Sequence, residues 1–359
     1  MDSSDEIKIL KKVRSLVYGR YNWSGIAIAI QMFGASLIAT VLQLVALMLI
    51  FVTSMGNGSS DFIGMTASLN EYNMFISGIA YITCNLTAAF LCMKLSKTGS
   101  LKQMFRKPEK SFGALDILLS VLAILGLSTL DSLFMNGLSF IFGSSDEALG
   151  AIMTGGVFSD KLWVQVGTLA YIAVLGPITE EILVRGACLP MCSHISTRFG
   201  IVASALLFGI MHGNITQFFN AFVLGLALAY VTVKSRSIIP AMLMHVANNS
   251  LAVVQMFMTN YMSEEKYQIV DNITTAVLVV LGISSLVFLV IRKGKVDDRD
   301  DAIKVNIPAP AEYIEMAKTP SNNLTAKTFF SSWAFWVVTG YAVFNSIIVI
   351  IFGNALMQG

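Results

Sequence analysis

Residues 21–60 contain no charged side chain, and 25–53 within them is almost continuously apolar. A helix needs roughly 20 apolar residues to cross about 30 Å of hydrocarbon, so this stretch commits the chain to a membrane. It is too long for a signal-peptide core and lacks a small-residue cleavage site, so it is expected to stay in the mature protein. The remaining composition agrees. Of the 359 residues, 55% are hydrophobic and only 13% charged, against about 25% charged in a soluble domain. The balance of 24 Lys+Arg against 22 Asp+Glu, a net +2, is too small and too scattered for nucleic acid as a partner. Cys84, Cys92, Cys188 and Cys192 lie in or beside apolar segments without a C-x-x-C spacing, which speaks against a disulfide framework or a zinc knuckle.

Further apolar segments lie at about 73–93, 114–142, 162–190, 200–212, 218–233, 238–259, 273–291 and 331–353. The expected fold is therefore all-α, a polytopic transmembrane helix bundle of about nine segments, multi-pass in the cell membrane. Basic residues set its orientation. Residues 8–20 hold five Lys/Arg, 94–110 six and 292–304 five, while 54–72 hold none. With a cytoplasmic N-terminus, nine alternating spans put every basic cluster on the cytoplasmic side, as the positive-inside rule expects. Residues 5–20 place Ile7, Leu10, Val13 and Val17 on one face among lysines, which suits an interfacial helix or a solvated arm.

Ionisable groups within a membrane are costly and mark interior or watery sites. Here they gather in one part of the chain. Glu180, Glu181 and Arg185 close the fourth segment, Phe208 and His212 lie in the fifth, and His245 and Asn249 in the seventh. Glu181 and Arg185 are four apart and can neutralise each other on one helix face, as His245 and Asn249 can project together. Glu180 is turned about 100° from Glu181 and can enter a different space. At about 1.5 Å of rise per residue, Glu180, His245 and His212 stand roughly 15, 12 and 18 Å from the cytoplasmic ends of their spans. Three groups on three helices thus fall near one depth. Residues 199–233 are charge-free but short for two crossings, so a turn at Gly213-Asn214 is expected inside the membrane, where irregular backbone is tolerated only when buried or lining a wet cavity. Gly209/Gly213 and Ala221/Gly225/Ala229 would let the neighbouring helices approach closely. Asp131 is deep in the third segment without an evident partner, and His194 lies at the cytoplasmic edge.

Taken singly, a Glu–Arg pair is as readily a structural clamp, and a His–Asn pair an interhelical hydrogen bond. Their convergence on one level favours a functional pocket. In order along the chain, Glu-Glu-x-x-x-Arg (180–185), Phe-x-x-x-His (208–212) and His-x-x-x-Asn (245–249) resemble the CPBP family, the CAAX-processing and bacteriocin-processing (Abi) membrane endopeptidases. The resemblance spans about residues 160–255. It implies that Glu180 and His212 activate water while His245 and Asn249 stabilise the oxyanion. Chemistry accommodates this division, since peptide hydrolysis needs a base, oxyanion donors and an acid for the leaving amine. Glu181, Arg185 and Phe208 would support the helix or grip the substrate backbone.

The expected function is intramembrane endopeptidase action on a membrane-embedded or membrane-associated peptide, with no cofactor. One alternative is a zinc-dependent version with Glu180, His212 and His245 as ligands, although the H-E-x-x-H helix of zincins is absent. Another is a non-catalytic transporter or immunity protein using the same pocket. The expected organisation is a cytoplasmic amphipathic arm (1–24), N-terminal transmembrane helices (25–159), a four-helix catalytic core (160–258), an additional span (259–295), a cytoplasmic linker (296–327) and a C-terminal span (328–359).

Overall fold

The computed structural model describes residues 3–56, 62–98, 105–142, 157–298 and 326–357. Among these residues all regular structure is helical. The elements are α1 (Ser3–Gly56), α2 (Phe62–Ser96), α3 (Ala114–Phe142), α4 (Leu162–Cys192), α5 (Thr197–Met211), α6 (Ile215–Ser235), α7 (Ile239–Tyr261), α8 (Glu264–Lys293), α9 (Ala326–Phe330) and α10 (Trp333–Met357). Each of the nine apolar segments falls on a helix, giving an all-α polytopic bundle. Six helices, α1–α4, α6 and α8, contain stretches long and apolar enough to cross a membrane. Of the linker expected over 296–327, residues 299–325 lie outside the described residues.

The N-terminal segment differs from expectation. Residues 3–24 are the opening turns of α1 itself rather than a separate arm. The stripe of Val13 and Val17 is buried in the protein core with Tyr21, Ala27 and Ile28, not laid on lipid or water. With neither proline nor charge to stop it, the apolar helix runs on to Gly56. The part of α1 over Lys11–Met55, which contains the candidate span, has 45 residues, about 67 Å at 1.5 Å each, over twice the hydrocarbon thickness. Burial ends near Ala35, beyond which Leu37, Leu44, Met48 and Leu49 are exposed.

The basic loops meet at one end of the bundle. Asp116 at the start of α3 binds Arg292 Nε and Lys293 Nζ at the end of α8, each at 2.7 Å. Glu109 pairs with Arg236 at 3.1 Å, and Asp298 accepts from the Arg198 backbone N–H at 3.0 Å. The opposite end carries Glu71 bound to Lys161 at 2.5 Å. Within the bundle, contact between helices depends on small residues, because lipid tails are as apolar as leucine and provide no hydrophobic drive. A Cβ on Gly126 of α3 would stand 2.5 Å from Gly282 Cα of α8, so neither residue tolerates a side chain. Gly225 plays the anticipated part in α6: a Cβ there would lie 3.1 Å from Ala205 Cα of α5.

α5 has 15 residues, about 22 Å, too short to cross. It ends at His212, the chain turns through Gly213 in the left-handed region (φ +71°), and Asn214 caps α6 by accepting from Gln217 N–H at 2.8 Å. The turn expected at Gly213-Asn214 is therefore present. α4 to α7 pack around it and, with Met74 and Tyr81 of α2, line a partly open cavity of about 430 Å³.

Candidate active site

α4 presents the carboxylates from a helix that departs twice from α geometry. It widens into π turns at Tyr171–Leu175 and Ile182–Cys188, on either side of the regular turn Gly176–Glu181. Single π turns inside α-helices recur at functional sites because they reorient side chains and free backbone groups. Here they bracket Glu180 and Glu181.

These adjacent glutamates face different surroundings, as their 100° offset demands. Glu181 is fully buried. Its Oε1 accepts from Arg185 Nη1 and from His245 Nδ1, both at 2.9 Å. Arg185 also donates through Nη2 to Gly225 O at 3.2 Å, and its guanidinium lies 4.4 Å over the Phe208 ring. Arg185 has no exposed side-chain surface, and these contacts hold it inside the bundle.

Glu180 instead lines the cavity. Its Oε1 accepts from Tyr81 Oη of α2 at 3.0 Å. Its Oε2 is buried, has no hydrogen-bond partner, and stands 3.7 Å from His245 Nε2. Glu181 Oε2 and Arg185 Nε are likewise buried without a hydrogen-bond partner; Glu180 differs from them in lining the cavity.

Both imidazoles are held by Nδ1. His212 Nδ1 meets Phe208 O at 2.8 Å, so it carries the proton and donates. His245 Nδ1 faces the Glu181 carboxylate. In each ring the Nε2 edge is therefore the one free for chemistry. Phe208 sets both rings, standing at 89° to each with centroids 5.0 Å from His212 and 5.6 Å from His245. One turn beyond His245, the Asn249 amide donates to Ile172 O at 3.1 Å, which leaves its second N–H.

Glu180, Phe208, His212, His245 and Asn249 thus line one cavity, with Glu181 and Arg185 behind its wall. Among the described residues no group of three or more His, Cys, Asp and Glu converges as a metal site. Sequence reasoning missed Tyr81, whose signal was only one tyrosine in an apolar span. It also missed the cavity amides of Gln217, Asn220 and Asn248. Asp131, read as partnerless, faces the Asn220 amide. His194 is buried away from the cavity, against Tyr21 at 4.8 Å between centroids.

Residues 162–251 match the family described as Rce1-like, type II CAAX prenyl endopeptidase. This is the CPBP, or CAAX protease, family suggested by the three motifs, and the matched segment contains all of them. A comparison with curated proteins and with solved structures gives no match.

Proposed function

We propose that this multi-pass membrane protein is an endopeptidase that hydrolyses a peptide bond in a membrane-associated peptide, using water activated by Glu180. The observation that carries the reading is the buried, unpartnered Oε2 of Glu180 in a cavity shared with two histidines and an asparagine. A desolvated carboxylate with an open lone pair is suited to general-base work.

Glu180 Oε2 removes a proton from a water that His212 Nε2 also holds, and the hydroxide adds to the scissile carbonyl. Tyr81 fixes the other carboxylate oxygen and so the direction of the open one. The tetrahedral oxyanion accepts from the free N–H of Asn249 and, when the His245 ring carries a proton on both nitrogens, from its Nε2–H, while Nδ1–H donates to Glu181. Donors fixed in place before the reaction stabilise developing charge without reorganisation. Glu180 then returns its proton to the leaving amine, and the C–N bond breaks. The bundle end with the basic loops is assigned to the cytoplasm, so access is from that half of the bilayer.

The test compares peptides from membranes and medium of cells expressing the wild type or Glu180→Ala at matched levels. The proposal expects peptides shortened only with the wild type. Identical peptide sets, or full activity in Glu180→Ala, would overturn it. Peptides accumulated intact across the membrane would indicate transport instead.

A further inference from the structure

The turn that carries His212 is anchored by a helix outside the matched segment. The last carbonyls of α5 must find donors at a depth where water is scarce. His212 N–H returns to Gly209 O at 3.2 Å and Gly213 N–H to Ile210 O at 3.0 Å. The His212 imidazole takes Phe208 O, and the Asn214 amide takes His212 O at 3.1 Å. The carbonyl of Gly213 is taken by Asn345 Nδ2 of α10, at 3.0 Å. The contact is close, since a Cβ on Gly213 would meet the same nitrogen at 3.4 Å.

α10 is in turn set by α1. Asn22 Oδ1 accepts from the Ser332 hydroxyl at 2.9 Å and from Ala334 N–H at 3.3 Å. Gly25 admits the helix, because a Cβ there would lie 2.9 Å from Ala334 Cβ. A chain of contacts therefore runs from α1 through α10 to the backbone beside His212.

We propose that Asn345 is a positioning residue for the active site, and that α10 completes the site by holding the Gly213 carbonyl and with it the direction of His212. The inference rests on His212 acting in the hydrolysis described above. Without the donor, the Gly213 carbonyl can be satisfied only if the turn rotates. That rotation carries His212 with it, because His212 and Gly213 close the same helix end. Misplacement of a reacting group by about 1 Å costs on the order of 10²-fold in rate, so a partial displacement costs roughly tenfold.

The experiment uses the full chain in phospholipid nanodiscs, with Asn345→Leu, Asn345→Gln and, as a control on the same helix, Tyr341→Phe. Hydrogen–deuterium exchange is read at residues 212–215, and kcat and KM on a farnesylated CAAX-ending reporter peptide. In Asn345→Leu, exchange at the turn rises while α7 is unchanged. The value of kcat per folded molecule falls about tenfold with KM unchanged, beside the modest fall in Tm that an unpaired carbonyl entails; Asn345→Gln recovers part of both, and Tyr341→Phe matches the wild type. Unaltered exchange at the turn in Asn345→Leu overturns the proposal, whether or not the reporter is cleaved. An equal loss in Tyr341→Phe, or exchange rising throughout α5 to α7 as much as at the turn, also overturns it by reducing Asn345 to packing. A turn that loosens in a protein whose wild type leaves the reporter intact supports the anchor and counts against prenylated CAAX ends as the substrate.

Discussion

The side-chain amide of Asn249 in α7 donates to the backbone carbonyl of Ile172 in α4, and Pro177 explains why that carbonyl is free. In the π turn, Gly176 N–H returns to Tyr171 O, five residues back. In the same register Ile172 O would receive from residue 177, a proline without an N–H. The second π turn follows the same logic: Leu189 N–H returns to Val184 O, and the next residue is Pro190. A proline in one span and a cavity amide in another are thus parts of one arrangement.

That arrangement predicts coupling between Asn249 and Pro177. Asn249→Ala leaves the Ile172 carbonyl at the cavity wall without its donor, at a cost of about 1–3 kcal/mol. Pro177→Ala supplies an N–H at the missing position, so Asn249→Ala should cost less in that background. Thermal unfolding of the four proteins of the cycle in nanodiscs measures the difference, expected to exceed about 0.5 kcal/mol. Strictly additive losses would break the link.

Glu181 should matter in two separable ways. Glu181→Ala strands the buried guanidinium of Arg185, and removing one partner of a buried pair costs about 3–5 kcal/mol. Folded yield in detergent should therefore collapse. Glu181→Gln keeps an oxygen toward both Arg185 and His245 but removes the charge that faces His245 Nδ1. It should fold better than the alanine variant and still lose turnover. Wild-type kcat in Glu181→Gln would show that His245 needs no carboxylate.

The three histidines should separate by role. Alanine at Glu180, His212 or His245 removes a base, a water-holding group or an oxyanion donor, each worth on the order of 10²-fold or more. His194→Ala should lower Tm, because the ring packs against Tyr21 and its Nδ1 meets Met191 O, while kcat per folded molecule stays unchanged. Cleavage assays normalised to folded protein decide this. A His194 variant as inactive as Glu180→Ala would contradict the assignment.

Orientation has a direct check, because Cys84, Cys92, Cys188 and Cys192 are all buried. Thiols introduced at exposed Lys107 and Asp160, at opposite ends of the bundle, should be the ones an impermeant maleimide reads. In sealed right-side-out vesicles Asp160→Cys should label and Lys107→Cys should not. The reverse pattern would invert the protein and move substrate access to the outer half.

Much of this was legible in the sequence because its signals are local. Apolar runs mark the helices, and the spacing 181/185, 245/249 and 208/212 fixes which groups share a face. Even the turn at Gly213 follows from a length too short for two crossings. What was not legible depends on partners far away in the chain. Tyr81 and Asn345 are ordinary residues of apolar helices until folding brings them to Glu180 and Gly213. The length of α1 was misjudged because burial of Val13 and Val17 is decided by the bundle, not by their own stripe. The burial of Arg185 likewise depends on contacts with Gly225 and Phe208 that lie far along the chain.

The last prediction separates glutamate-activated water from zinc. The zinc reading has one point in its favour. Both imidazoles are anchored through Nδ1, to a carbonyl and to a carboxylate, as metal-bound histidines commonly are. Against it, Glu180, His212 and His245 do not converge as a ligand set, and Tyr81 occupies one oxygen of Glu180. Asn249→Asp is a poor discriminator, since its carboxylate would face Ile172 O and disturb α4 under either mechanism. Glu180→Gln is better, because an amide keeps the shape and the bond from Tyr81 but cannot take a proton from water. With Glu180 as base, the variant is inactive, and protein stripped by a strong chelator retains wild-type turnover. If zinc is the activator, the purified wild type contains one equivalent of metal, Glu180→Gln contains less, and stripping abolishes cleavage until Zn²⁺ is returned. Elemental analysis beside turnover on the same samples decides between them, and stoichiometric zinc with full recovery on its return would reassign His212 and His245 as ligands.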